Sequence, residues 1–327
     1  MNIATNHNNR IGKVGASDVG ALMGYNPWST PANQTAVILG LIEVEETLRM
    51  GFGKKVQPLI AEMVMDKTGL YAVEDEKTIY HTKYPWMQAT PDYILGQRKD
   101  GLIRDGVPLE LKFVGEYVAD KWGEDGDPNG VPPYVALQCV QQANLLQKNK
   151  VTVAALIGGH DLRLYDLDIR EKDVDALEKA TVNFYEKWIK PGEIPPVDYR
   201  DIETMKRLYP ESEAHPITAD ADLEQMISAY VTSKGTAKAW QEIADTAKAQ
   251  IQAAMKGFDT VLSSDGEPLI TWKKTKDGEK TDWKKMIAAI GAEMEPEKYL
   301  EYLKNHTEKK IGHRTFLVKK AAKTEEK

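Results

Sequence analysis

Apolar positions recur along this chain with two different periods, and the changes of period mark out its elements. Val56, Leu59, Ile60, Met63 and Val64 fall at helical spacing over residues 53–68, with Gly69 placed as the left-handed residue that ends the helix. Earlier, Ser17 or Asp18 followed by Val19, Leu22 and Met23 reads as a helix N-cap with its apolar stripe, and a second helix through about residue 41 follows a turn-rich loop over 25–31. Residues 73–80 and 86–89 read as strands. Tyr93, Ile94 and Leu95 begin another, and over 109–113 Leu109, Leu111 and Phe113 alternate with Glu110 and Lys112, so one face is apolar and the other carries a carboxylate and an ammonium. The Asp-Gly pairs at 100–101 and 105–106 are signals for folding one strand back on the next, which sets Asp92 beside Glu110. A helix opened by Pro132-Pro133 runs to about 148, strands cover 151–157 and 162–169, and a helix over 171–190 ends at a Pro/Gly-rich linker, 191–196. Helices, three strands, a helix, two strands and a helix make one α/β domain with a mixed sheet.

Beyond about Pro216 the character changes. Residues 219–257 form a long Ala-, Lys- and Glu-rich helical pattern punctuated by Gly235, of the kind that makes a helical hairpin or coiled-coil arm. A hairpin over 260–273, two short helices, a strand-like segment over 314–318 and a tail over 319–327 expected to be disordered complete the chain. The organisation expected is a first domain over 1–200, a linker over 201–218 and an accessory α+β region over 219–327. There is no internal repeat.

Composition narrows the chemistry. Over 327 residues, 42% hydrophobic and 28% charged residues are those of an ordinary globular protein, and the absence of a run of about 18 apolar residues argues against a membrane span. The polar, Asn-rich first ten residues lack the apolar core of a signal peptide, and a cytoplasmic location is the expectation. A single cysteine, Cys139, excludes an internal disulfide and any Cys-ligated zinc or iron–sulfur cluster within one chain, and its helical context reads as a packed thiol. A net charge of −7 excludes a passive basic coat for nucleic acid but not an enzyme with one basic channel.

Asp92 beside Glu110 places two carboxylates that repel unless a cation separates them, and an all-oxygen site with open positions suits Mg²⁺ or Mn²⁺ and phosphoryl-transfer chemistry, with Lys112 orienting a water or stabilising charge. The N-cap at Ser17 and Asp18, with Arg10 and Lys13 near it, reads as an anion site. Trp28 has the chemistry to stack on a base, although packing under its loop is the commoner fate. The acidic loop over 123–130 lacks the terminal Glu of a calcium loop and reads as solvated, and Gln138, Gln141 and Gln142 read as polar surface of their helix.

Pro91-Asp92 followed by Glu110-Leu111-Lys112 resembles the PD-(D/E)XK nuclease signature. Adding Arg10-Ile-Gly with Gly15-Ala16-Ser17-Asp18, Gly53-Lys54, Thr90-Pro91-Asp92 and Gln138, the first 200 residues resemble the YqaJ-like viral recombinases, the lambda exonuclease family. The resemblance implies a restriction-endonuclease-like core, Mg²⁺-dependent 5′-to-3′ digestion of one strand of double-stranded DNA from its ends, a homotrimer, and a single-strand annealing protein as partner in recombination. It implies that Asp92, Glu110 and the Leu111 carbonyl hold metal, that Lys112 acts on the nucleophilic water, that Gln138 supports the site, and that Arg10, Ser17 and Thr90 bind the 5′-phosphate. Where relatives carry a Glu, this chain has Gln57, which keeps an oxygen ligand and loses a charge, weakening a second metal. A structure-selective endonuclease and a non-catalytic DNA- or annealing-protein-binding module are the competing readings. The region beyond 218 lies outside the resemblance; its basic segments could extend a DNA path and its helices dock a partner, brace an oligomer or stand free.

Overall fold

Leu109, Leu111 and Phe113 pack in one apolar cluster with Ile60, Ala61, Val64, Tyr93 and Leu95, while Glu110 and Lys112 turn to the other face. That division organises the first of two units, Met1–Pro210 and Glu211–Lys327. The computed structural model describes residues 10–44, 47–75, 77–99, 102–213, 215–308, 312 and 314–317.

The first unit opens with β1 (Val14–Gly15), α1 (Val19–Leu22) and α2 (Pro31–Ile38). Helix α3 (Leu48–Thr68) starts ahead of its apolar stripe because the Thr47 hydroxyl accepts from the Met50 N–H, and it stops at Gly69, whose φ of 70° is the left-handed conformation expected there. Strands β2 (Tyr71–Glu74), β3 (Ile79–Tyr80), β4 (Met87–Ala89), β5 (Tyr93–Lys99) and β6 (Leu102–Val114) follow. After them come α4 (Pro133–Leu146), β7 (Lys150–Ile157), β8 (Asp161–Asp168) and α5 (Glu171–Phe184), the last running into a π-helical turn, Tyr185–Ile189.

The central sheet has the order β2-β5-β6-β7-β8, with β6 and β7 parallel and the other pairs antiparallel. Helix α3 covers one face through Ile60, Ala61 and Val64, and α4 covers the other through Val135, Cys139 and Ala143, packed on Val151, Val153 and Ala155. This is the mixed α/β core, with a mixed central sheet flanked by helices, that the order of elements implied. A smaller sheet, β1-β4-β3, pairs Val14 with Met87 and Gly15 with Gln88 in parallel, which lays the N-terminal segment alongside the chain that leads to Asp92.

Several boundaries differ from the sequence reading. The strand expected over 73–80 is two strands, β2 and β3, in different sheets. Asp105-Gly106 is not the turn between β5 and β6: it lies inside β6, where the register shifts opposite Leu95 and Gln97 and Asp105 takes a φ of 55°. A local left-handed residue and a following glycine serve a bulge as well as a hairpin. Asp100-Gly101, the other expected turn, lies outside the described residues.

Part of the expected linker over 201–218 is also structured. Helix α6 (Ile202–Leu208) belongs to the first unit. Asp201 is buried and takes a hydrogen bond from the Thr30 hydroxyl, and Asn33 Nδ2 donates to the Thr204 hydroxyl at 2.9 Å.

In the second unit, α7 (Ala221–Met255) runs unbroken through Gly235, so of the two forms expected of this pattern, a helical hairpin or a coiled-coil arm, the hairpin is excluded and one continuous helix stands. It is followed by the antiparallel pair β9 (Thr260–Leu262) and β10 (Pro268–Thr271), then α8 (Trp283–Glu293) and α9 (Pro296–His306). Residues 314–317 form no strand, and the tail over 319–327 lies outside the described residues. Met255 is the one buried apolar side chain among the described residues of this unit. No helix among the described residues is long and apolar enough to cross a membrane.

Candidate active site

Pairing of Tyr93 with Leu109 brings the residues flanking that pair, Asp92 and Glu110, side by side at the point where β5 begins. Asp92 Oδ2 accepts from the Leu111 N–H at 2.9 Å, so the carboxylate is pinned to the backbone of the strand that carries Glu110 and Lys112. Burial, and then the charge of Glu110, push the Asp92 carboxyl up to about 7, against the pull of Lys112, the Leu111 N–H and a hydrogen bond with the Gln57 side chain. Lys112 Nζ donates to Glu110 Oε1 at 2.5 Å and to Gln138 Oε1 at 3.1 Å. Burial works against its charge, but the Glu110 and Asp92 carboxylates outweigh that and hold its pKa above the ordinary lysine value. Lys112 is therefore an ammonium, a donor and a positive charge rather than a base.

Glu110 is 2% exposed, and a buried carboxylate demands donors. Helix α4 supplies them one turn apart. Gln138 Nε2 donates to Oε1 and Gln142 Nε2 to Oε2, each at 2.6 Å. Gln141 Nε2 reaches the carbonyls of Gln88, at 3.1 Å, and Val14, at 3.3 Å, and so ties α4 to β4 and β1 of the small sheet. All three amides are buried, which corrects the reading of this helix face as polar surface. Gln142 is the site residue that sequence reasoning passed over. The available signal was its i, i+4 spacing from Gln138, which puts both on the stripe facing the polar side of β6. Cys139, between them, is packed as expected, with its thiol pKa raised by burial.

The expected anion site is built differently from its sequence reading. Helix α1 is a single turn of four residues, and Asp18 at its start makes no side-chain cap; a helix that short has almost no dipole to offer. Instead Asp18 turns back, accepting from the Gly15 N–H at 2.7 Å and from Gln34 Nε2 at 3.0 Å, and burial raises its pKa against the opposing charge of Arg10. Arg10 Nη2 lies across Gly15, 2.7 Å from where a Cβ would stand, so a side chain there would push the guanidinium from this position. Arg10 and Ser17 are exposed, free to meet a ligand from solvent. The Thr90 hydroxyl, also exposed, is 2.9 Å from that of Thr78.

Among the described residues no three of His, Cys, Asp and Glu gather as a metal cluster. What the site offers is two carboxyls, Asp92 and Glu110, that repel each other, and hard oxygen donors of this kind fit Mg²⁺ or Mn²⁺, which complete their coordination with water and substrate phosphate. The glutamines of α4 fix where Glu110 stands, and the Leu111 N–H fixes Asp92.

Residues 6–146 match the YqaJ-like viral recombinase domain. All of the strands and glutamines just described up to Gln142 fall inside that YqaJ-like segment. The chain is also similar to the uncharacterized protein YqaJ of Bacillus subtilis (strain 168), 23% identical over 250 residues that span 74% of this chain and 75% of that one. Among solved structures it is similar to an alkaline exonuclease from Laribacter hongkongensis, at 18% identity and a TM-score of 0.45 over 62% of this chain and 96% of that one. A phage-related exonuclease from Haemophilus somnus matches at 8% identity and a TM-score of 0.40, over 57% and 99% of the two chains.

Proposed function

We propose that this protein is a metal-dependent nuclease that degrades one strand of linear double-stranded DNA from its 5′ end. The observation that carries the reading is the group of Asp92, Glu110 and Lys112, in which two carboxyls and one ammonium meet beside β6. The match to a YqaJ-like viral recombinase domain supports DNA as the substrate.

Mg²⁺ held by Asp92, Glu110 and the Leu111 carbonyl would supply Lewis-acid activation of the phosphodiester and of a bound water. The chain's own residues do the positioning. Lys112 donates to the attacking water and sets positive charge against the phosphate as negative charge develops on it. Gln138 and Gln142 hold Glu110 in one orientation through both of its oxygens. Gln57 bonds to Asp92 without adding a charge, so one tightly held cation is the simplest occupancy. Arg10 and Ser17, with Thr90, take the terminal 5′-phosphate and so set polarity; Asp18 opposes the charge of Arg10 from within the protein. A homotrimer around DNA and a single-strand annealing partner complete the proposal and rest on the resemblance to the YqaJ-like recombinases.

The test is digestion of a linear duplex carrying a 5′-phosphate on one strand only, with and without Mg²⁺, beside a covalently closed circle. The expected result is Mg²⁺-dependent loss of the phosphorylated strand with the circle intact. Cutting of the circle moves the reading to an endonuclease, and binding without release from either substrate moves it to a non-catalytic module.

A further inference from the structure

Tyr134, Gln138 and Gln142 fall at i, i+4 and i+8 on α4, along one stripe. The inner two grip Glu110; Tyr134 is the outermost, and the positive charges of Lys112 and Arg49 both reach its hydroxyl. Its backbone is fixed by α1, for Gly20 lies so close that a Cβ there would stand 2.8 Å from the Tyr134 carbonyl oxygen. The edge of the site beside Tyr134 is aromatic and open. Trp28 packs edge-to-face on Tyr134 at 5.6 Å and 82°, yet is 62% exposed. Its loop is held by a hydrogen bond from the Trp28 N–H to Asn26 Oδ1 at 2.8 Å. On the stretch that continues from Lys112, Gly115 lies under a second pair, the Arg49 guanidinium 4.9 Å over the ring of Tyr117, which is 70% exposed.

Large exposed aromatics fixed by neighbours cost little to order on binding, and their flat faces beside two cations suit an anionic, π-faced ligand. We propose that Trp28, with Tyr134 behind it, and the Arg49–Tyr117 pair form a platform that stacks unpaired nucleobases of the strand entering the site. The inference rests on the nuclease reading and adds which side chains of this chain hold the bases of the entering strand. Interior base pairs present only their edges in the grooves, so a duplex offers this surface no more than the face of its terminal pair. A stacking surface also accepts every base, as an enzyme without sequence preference requires. The arginine meets the phosphates between the stacked bases.

The test measures binding of a fluorescein-labelled 12-nucleotide single strand to the full chain by anisotropy in EDTA, so that no turnover intervenes, beside a strand of equal length that is abasic over its four 5′ nucleotides. Wild type is expected to bind the intact strand about tenfold more tightly than the abasic one. Trp28→Leu and Tyr117→Leu, each checked by circular dichroism for a native fold, are expected to lose most of that difference while binding the abasic strand as wild type does, and Trp28→Phe to restore it. Equal wild-type affinity for the two strands, or variants that weaken both equally, overturns the platform. Failure of the nuclease reading shows separately, as absence of Mg²⁺-dependent release by wild type, whatever the binding result.

Discussion

Glu110 is held through both oxygens, and the share carried by Gln142 is open to measurement because that side chain is 1% exposed and cannot touch DNA. Gln142→Leu removes the donor to Oε2 from a buried carboxylate, a loss of about 1–3 kcal/mol. It is expected to lower kcat for DNA hydrolysis about tenfold with KM unchanged; a change confined to KM contradicts the role. Asp92 tests the electrostatics of the same pair. With its carboxyl pushed from the ordinary 3.8 to about 7 by burial and by Glu110, the folded metal-free protein binds a proton that the unfolded chain releases. That contribution to stability is complete below about pH 4 and is lost as pH rises through 7. In EDTA at pH 8, Asp92→Asn should therefore melt several degrees above wild type, with the gap narrowing by pH 5 and closing only below about pH 4; a gap independent of pH rules out the ionised pair as its source. Asp92, Glu110 and Lys112 were legible in the sequence because strand alternation and one fold-back fix their neighbours. Gln142 was not, because an amide on a helix looks the same whether it faces water or a buried carboxylate that lies 32 residues away in sequence.

At the scale of elements, α1 matters by closeness rather than by its dipole. Gly20 lets its backbone press on the start of α4, with a Cβ there 2.8 Å from both Tyr134 Cβ and the Tyr134 carbonyl. Gly20→Ala forces the two apart and is expected to cost about 1–3 kcal/mol, read as a lower melting temperature, together with weaker preference for 5′-phosphorylated ends because Ser17 moves with α1. Gly235→Ala is the control: nothing stands within 4 Å of that position on α7, so the same chemical change should stabilise the helix by about 0.5–1 kcal/mol. Equal effects at the two sites would show that glycine content, not contact, is being measured. The one-turn length of α1 was not legible because a cap residue followed by Val19 and Leu22 is the same pattern whether the helix runs one turn or three; what stops it is the turn at Gly24, with φ of 78°, and the return of the Tyr25 and Asn26 N–H groups to the Gly20 carbonyl. Asp105-Gly106 was misread for a related reason, since the left-handed residue that closes a hairpin also makes a bulge, and only the partner strand decides between them.

Across the whole molecule, the division into two units puts every residue of the candidate site in the first, while the second buries a single apolar side chain among its described residues. The change of composition near Pro216 announced that division, but it placed the end of the first unit before Asp201, because short polar segments after a Pro-rich stretch read as linker. The structure gives those residues work. Asp201 closes a capping box with Asp198 and takes the Thr30 hydroxyl, Asn33 bonds Thr204, and the Arg207 guanidinium donates to the Glu43 carbonyl, so the end of the unit is laced to α2 and to the chain that follows it. A fragment ending at 200 strips Thr30 and Asn33 of their partners; a fragment ending at 210 keeps both. With two side-chain bonds, one buried and one partly buried, at about 1 kcal/mol each and the packing of one short helix, the longer fragment should melt roughly 5–10 °C higher by calorimetry. It should also bind a 5′-phosphorylated strand in EDTA as tightly as the full chain does, since Arg10, Ser17 and Trp28 all lie within it. Indistinguishable melting of the two fragments would show that α6 is carried by the unit without supporting it. Weaker binding by the 210-residue fragment, with its fold intact, would assign part of the DNA path to the lysines of the second unit.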